Sequence, residues 1–166
     1  MAKTLIIDYE KCVGCKSCEM ACSAKQAHVS SPSLSRIESV RLDLGENNYP
    51  IVCVNCQSAP CLAICPVVAI YQDESLDRVM IDYDKCIGCR MCVAVCPFGN
   101  MSFNVAEKKV FKCDLCDGDP MCVKFCQHDA LKYVEAGEQS TIKRTVTAEK
   151  FAEVMSKIKS AMGTVK

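Results

Sequence analysis

Sixteen cysteines fall along this chain in four sets of four, with none left over. Set one is Cys12, Cys15, Cys18 and Cys22, and set two is Cys53, Cys56, Cys61 and Cys65. Set three is Cys86, Cys89, Cys92 and Cys96, and set four is Cys113, Cys116, Cys122 and Cys126. Sets one and three have the tight spacing C-x2-C-x2-C-x3-C. Sets two and four open a loop between the second and third thiols, in "CVNCQSAPC" and "CDLCDGDPMC". Thiols at this density close disulfides, hold zinc or hold iron–sulfur clusters.

Disulfide frameworks belong to oxidising compartments. The N-terminus, "MAKTLIIDYE", carries neither the apolar run of a signal peptide nor paired arginines. No stretch reaches the length of a membrane span. A cytoplasmic setting follows, in which clustered cysteines bind metal or do redox work. Zinc sites use two C-x2-C pairs that are usually well separated, and three cysteines at strict two-residue gaps suit such a site poorly. They suit a [4Fe–4S] cubane, because a short loop can wrap one corner and present three thiolates to three irons. The fourth cysteine, one helical turn further on, can reach a neighbouring cluster. Iron–sulfur is therefore expected in all four sets, with zinc the main competitor in sets two and four.

The residues between the thiols fit the same chemistry. Gly14 and Gly88 fall where backbone must pass close to inorganic sulfur and adopt positive φ. Pro66 and Pro97 follow the last thiols of sets two and three, whereas Ser23 and Gln127 stand there in sets one and four. That asymmetry predicts that set two pairs with set three, and set one with set four. The expected ligand groups are Cys12, Cys15, Cys18 with Cys126; Cys113, Cys116, Cys122 with Cys22; Cys53, Cys56, Cys61 with Cys96; and Cys86, Cys89, Cys92 with Cys65. The rival scheme pairs the sets in order, one with two and three with four.

The chain also repeats. "IDYEKCVGCKSCEMAC" (7–22) returns as "IDYDKCIGCRMCVAVC" (81–96). Sets two and four match less well, but both carry a proline ahead of the third thiol (Pro60, Pro120) and an alanine four residues after the last (Ala69, Ala130). A doubled unit of one tight and one looped motif accounts for the pattern.

Three blocks carry a family resemblance: "YPIVCVNCQSAPCLAICPVVAI" (49–70), "IDYDKCIGCRMCVAVCPFGNMSF" (81–103) and "VFKCDLC" (110–116). The chain resembles, over residues 3–135, the four-cluster ferredoxin subunits that serve molybdenum and tungsten enzymes and some hydrogenases. The resemblance implies four [4Fe–4S] clusters, with ligands crossing between sets one and four and between sets two and three. It implies an electron-transfer subunit beside a catalytic oxidoreductase partner, with a flavin subunit or soluble ferredoxin as second redox partner and several copies per complex. Two features depart from the pattern. The set-four loop is only "DGDPM", and Cys126 is followed by Gln127 and His128 rather than proline. The compact size and lack of an export signal look most like the small subunits of aldehyde oxidoreductase-type tungsten enzymes, including the related benzoyl-CoA reductase complexes. Hydrogenase, formate dehydrogenase and carbon monoxide dehydrogenase complexes are the alternatives.

The elements that must position these thiols are short. "TLIID" and "RVMID" read as strands leading into the tight motifs, and "QDESLD" (72–77) as the turn of a hairpin. "RIESVRLDL" (36–44) partly alternates and reads as another strand, residues 23–35 read as a loop, and helical turns are expected to follow the third thiol of each tight set. The expected class is α+β, with two interleaved, βαβ-like ferredoxin units around the clusters. The inner unit is about 50–105 and the outer unit comes from 1–49 and 106–135. Residues 136–166 form a polar linker and, from Thr147, an amphipathic helix with Phe151, Val154, Met155, Ile158 and Met162 on one face. That stripe either closes the fold or docks a partner subunit.

Twenty basic and twenty acidic side chains leave no net charge, which argues against nucleic-acid binding. Four oxidised cubanes, each about −2 with its thiolates, would take the charge to about −8. Lys11, Lys16, Lys85, Arg90, Lys112 and Lys124 flank thiols and are either solvated or set against that charge. His28 and His128 are not needed as ligands, although His128 beside Cys126 could tune a cluster. No G-x-G-x-x-G, P-loop or nucleophile–base constellation is present. The expected role is an electron wire without substrate turnover of its own. A structural zinc interaction module and a redox sensor are the competing readings.

Overall fold

The computed structural model describes residues 3–41, 48–135 and 137. In chain order its elements are β1 (Lys3–Ile7), α1 (Ser17–Ala27), β2 (Ile37–Arg41), β3 (Asn48–Val52), α2 (Pro60–Ala63) and β4 (Ile70–Asp73). There follow β5 (Arg78–Ile81), α3 (Met91–Val95), β6 (Ser102–Asn104), β7 (Lys109–Phe111), α4 (Met121–Lys124) and β8 (Leu131–Glu135). The class is α+β, as expected. The C-terminal helix expected from Thr147 lies outside the described residues.

The strands form four two-stranded antiparallel ribbons, β1–β8, β2–β3, β4–β5 and β6–β7. This differs from a βαβ arrangement. Only residues 74–77 separate β4 from β5, and parallel pairing needs a crossover of a dozen residues or more.

Two of the ribbons are equivalent. In one, the chain leaves set two through α2, runs along β4 and returns along β5 into set three. In the other, it leaves set four through α4 and runs along β8, which pairs with β1 at the opposite end of the chain. The registers correspond: Ile70 faces Ile81, and Leu131 faces Ile7. Ala69 and Ala130, the alanines four residues past the last thiols, are both buried. Their carbonyls accept from the amides of Asp82 at 2.7 Å and Asp8 at 2.8 Å. The alanine at this position is thus a packing requirement, since a larger side chain would part the ribbon from its core.

Helix α1 packs on α4, and α2 on α3. One core gathers Cys18, Cys22, Cys113 and Cys122 with Ile37, Val52, Leu115 and Leu131. The other gathers Cys92 with Ala59, Ile70, Val79, Ile81, Met101 and Val110, and more thiols pack against it. Aliphatic side chains are few, and burying each contributes only about 1.5–3 kcal/mol. Sulfur occupies the places where a larger protein would put leucine.

The loop expected over residues 23–35 is a correction: α1 continues to Ala27, and a tight turn forms at Pro32–Leu34. The reason is the missing proline. Ser23 is fully buried, and its hydroxyl bonds the carbonyls of Glu19 at 3.0 Å and Met20 at 3.1 Å. It also accepts from the Ser31 amide at 3.1 Å. In sets two and three, by contrast, α2 and α3 end before Pro66 and Pro97. Set four makes the same exit without proline. Asp129 lies at φ 51°, as Val68 does at 50° and Gly99 at 65°. Ser23→Pro is therefore expected to break α1 and cost about 3 kcal/mol or more, read as a fall in the urea midpoint of the anaerobic holoprotein. An unchanged midpoint would remove this account of the sequence difference.

Candidate metal centres

Three separate hollows are each lined by four thiols. Cys12, Cys15, Cys18 and Cys126 line the first, Cys22, Cys113, Cys116 and Cys122 the second, and Cys65, Cys86, Cys89 and Cys92 the third. Cys53, Cys56, Cys61 and Cys96 remain. Burial pushes the Cys53 thiol up, and Cys56 and Cys96 add to that as nearby negative charges; Cys61 is raised by burial and then by Cys53. Twelve of the sixteen predicted site residues thus line a hollow with three others.

Among the described residues, no three His, Cys, Asp or Glu side chains converge as they would around one metal ion. Four sulfurs spaced around a hollow match the corners of a cubane, and an all-thiolate donor set is the usual one for [4Fe–4S].

The backbone shape behind this is shared. The residue before the second thiol is left-handed in all four sets: Gly14 at φ 71°, Asn55 at 47°, Gly88 at 68° and Leu115 at 59°. This turn redirects the chain between the first two thiols. Glycine marks it in the tight sets. The looped sets use asparagine, which tolerates the conformation, and leucine, which does not tolerate it easily. In set four Cys116 and Asp117 are left-handed too.

That strained segment is held from outside. The Asp114 carboxylate accepts from the Cys116 amide at 2.9 Å, from Gln26 at 2.9 Å and from Arg36 at 2.6 Å. Arg78 donates to Asp73 at 2.8 Å, Asp117 at 2.8 Å and the Asp114 carbonyl at 2.5 Å. Arg36, Arg78 and their aspartates carry no signal in the sequence, because partners as far apart as Arg36 and Asp114 meet only in the fold. Glu19 is another such residue. It is buried beside Cys18, and its carboxylate accepts from the Ser39 amide at 2.8 Å.

Amides also point at sulfur. Arg36 donates to Cys22 at 3.2 Å, Ala69 to Cys65 at 3.3 Å, Asn100 to Cys96 at 3.4 Å and Leu115 to Cys113 at 3.4 Å. Such bonds favour the thiolate and help set cluster potentials. Burial opposes them. It pushes Cys18 and Cys92 up to about 11 and Cys113 up to about 12, and Cys122 higher still. Buried sulfur anions need bound cations, so metal binding and folding are coupled here. Of the two histidines, His128 lines the first hollow with Cys126, while His28 sits exposed at the end of α1.

The two tight-set glycines differ in what surrounds them. A Cβ at Gly14 would meet the Asn48 side chain, which can rotate away, whereas one at Gly88 would meet the backbone carbonyl of Lys108. Gly88→Ala is expected to lose most of the set-three iron. Gly14→Ala should lose less, a few tenths of its site at most, as measured by iron content after anaerobic gel filtration. Equal losses would mean that the left-handed backbone alone matters.

A family model described as a 4Fe-4S dicluster domain matches residues 46–136, and one described as a 4Fe-4S binding domain matches residues 3–24. The chain is 39% identical over 144 residues to the polyferredoxin-like subunit of an aliphatic sulfonate oxidoreductase from Pyrococcus furiosus, covering 85% of this chain and 82% of that one. It is 36% identical over 153 residues to an uncharacterised ferredoxin of Methanocaldococcus jannaschii, covering 92% and 84%. It is 32% identical over 164 residues to the electron transfer subunit of a thiosulfate reductase from Salmonella typhi, covering 86% and 80%. Among solved structures, a chain of the BamBC active-site complex of benzoyl-CoA reductase aligns with a TM-score of 0.49 at 27% identity, over 96% of this chain and 98% of that one.

Proposed function

From the premise that this chain belongs to the 4Fe-4S dicluster domain family, we propose that its thiols form a four-step electron relay within an oxidoreductase complex. The protein is an iron–sulfur electron-transfer subunit, and substrate turnover belongs to its partners. The observation that carries the detailed reading is the grouping of the thiols around separate hollows. It supports Cys12, Cys15, Cys18 and Cys126 as one ligand group, and Cys22, Cys113, Cys116 and Cys122 as the next. Cys53, Cys56, Cys61 and Cys96 make the third, and Cys65, Cys86, Cys89 and Cys92 the fourth. Each bound cubane supplies a one-electron couple. The chain's own work is to space the groups, exclude water and set charge.

The packing supports an order. Cys18 and Cys22 share α1, so the first two groups are neighbours. Cys61 lies in α2 with Cys65 just past its end, as Cys92 lies in α3 with Cys96 capping it, so the last two are neighbours. Cys53, of the third group, packs against the core that holds Cys22, Cys113 and Cys122 of the second. The relay therefore runs first, second, third, fourth. The two exposed thiols, Cys15 and Cys89, belong to its two ends. The same packing supports an inner unit built on sets two and three and an outer unit built on sets one and four.

The named relatives support a catalytic oxidoreductase partner, and the resemblance of the cysteine blocks makes a molybdenum or tungsten enzyme, of the aldehyde oxidoreductase type, the specific choice. A flavin subunit or soluble ferredoxin serves as second redox partner. Among the described residues no helix is long and apolar enough to cross a membrane, and the dense reduced thiols support a cytoplasmic setting.

Alanine variants test the grouping. The wild-type protein, isolated without oxygen, is expected to carry about sixteen irons. Cys12→Ala and Cys126→Ala should each delete or convert the same EPR-active centre, while Cys22→Ala and Cys116→Ala affect a second one. If Cys126→Ala instead alters the centre that Cys86→Ala alters, the sets pair in chain order and the grouping is wrong.

A further inference from the structure

Lys112 is the cation whose position the relay alone does not account for. Of the six basic residues that flank thiols, Lys11, Lys16, Lys85, Arg90 and Lys124 are exposed, whereas Lys112 is 4% exposed. Its Nζ donates to Asn55 Oδ1 at 2.9 Å, to the Cys113 carbonyl at 2.6 Å and to the Val79 carbonyl. Three acceptors match the three N–H groups of an ammonium, whereas a neutral amine has only two.

That charge has no carboxylate partner among the described residues. Buried Arg78 pairs with Asp73 and Asp117, and half-buried Arg36 with Asp114. An ion taken out of water without a counter-ion is costly, by several kcal/mol. Something anionic must lie close by, and the anions at hand are thiolates. Lys112 precedes Cys113 of the second ligand group. Its acceptor Asn55 lies in the turn between Cys53 and Cys56 of the third. Its charge opposes the upward push of burial on Cys53, Cys61 and Cys113, thiols of both groups. The ammonium thus stands at the junction where Cys53 meets the neighbouring core.

We propose that Lys112 is a shared tuning residue, an unpaired buried cation that raises the reduction potentials of the second and third clusters together. The inference rests on the ligand grouping above. Reduction adds a negative charge to a cluster, and a fixed cation in a medium of low dielectric favours that added charge. A cation placed between two centres raises both. The two middle steps of the relay then stay matched to each other and sit above the potentials they would otherwise have, so an electron crosses between the units without a large climb. The hydrogen bonds of Lys112 reach no residue of the end groups that hold Cys15 and Cys89.

Two variants separate tuning from stapling. Lys112→Met removes the charge together with its hydrogen bonds. Asn55→Asp keeps an acceptor oxygen for both Lys112 and the Val79 amide, which donates to Asn55 at 3.1 Å, but places a counter-ion on the ammonium. Aspartate also tolerates the left-handed backbone there. Each holoprotein is purified anaerobically, its iron and sulfide are counted, and its centres are titrated by EPR-monitored potentiometry.

The expected result is full iron content in Asn55→Asp, with two of the four centres at least tenfold harder to reduce, about 59 mV for a one-electron couple. The other two should move by less than half as much. Lys112→Met should shift the same two centres, identified as those altered by Cys116→Ala and Cys56→Ala. Unmoved potentials at full iron content would overturn the proposal, as would a shift of one centre alone or an equal shift of all four. Loss of iron from both variants would make Lys112 a staple and overturn it as well. A wild-type protein without four reducible centres would instead defeat the ligand grouping itself.

Discussion

Buried sulfur anions require compensation, and the rest of this structure is arranged around that requirement. Thiols occupy the places where a core would hold aliphatic side chains, and burial by itself disfavours the thiolate at Cys18, Cys22, Cys53, Cys61, Cys92, Cys113 and Cys122. Iron supplies most of the missing positive charge. The amides of Arg36, Ala69, Asn100 and Leu115 supply local dipoles. The fold is stable to the extent that these contributions exceed the cost of removing the sulfurs from water.

The second level of organisation is the placing of ordinary charges. Arg36 and Arg78 are paired with aspartates and hold the strained set-four turn. They act on shape and add little net field. Lys112 is held only by neutral oxygens, so its charge remains available to its surroundings. Glu19 is the opposite case, a buried carboxylate beside Cys18 with Lys16 at 3.9 Å. A balanced overall charge therefore conceals an uneven interior, negative near the first group and positive between the second and third.

The ribbon of β1 with β8 joins the two ends of the described fold. It repeats the ribbon of β4 with β5, down to the alanine carbonyl that accepts from the aspartate amide just past the partner strand. The β4–β5 ribbon is a local hairpin, whereas the strands of the β1–β8 ribbon are separated by most of the chain. The short connection makes the first a low-entropy closure, and the long one makes the second costlier to form.

The number of thiols, their spacing and the chemistry they can do were legible in the residues themselves, because C-x2-C-x2-C-x3-C is a local geometric requirement read along a few turns of chain. The strands before the tight motifs and the hairpin at residues 72–77 were legible for the same local reason. The extent of α1 was not legible, since a run of small and serine residues resembles a loop and only the fold shows Ser23 satisfying its hydroxyl inside a helix. The left-handed turns at Asn55 and Leu115 were invisible, because only glycine advertises positive φ. The partners of Arg36, Arg78 and Glu19, and the isolation of Lys112, were decided by tertiary structure alone. Charge compensation acts through space between residues far apart in the chain, and pattern along a sequence carries no record of which of them will meet.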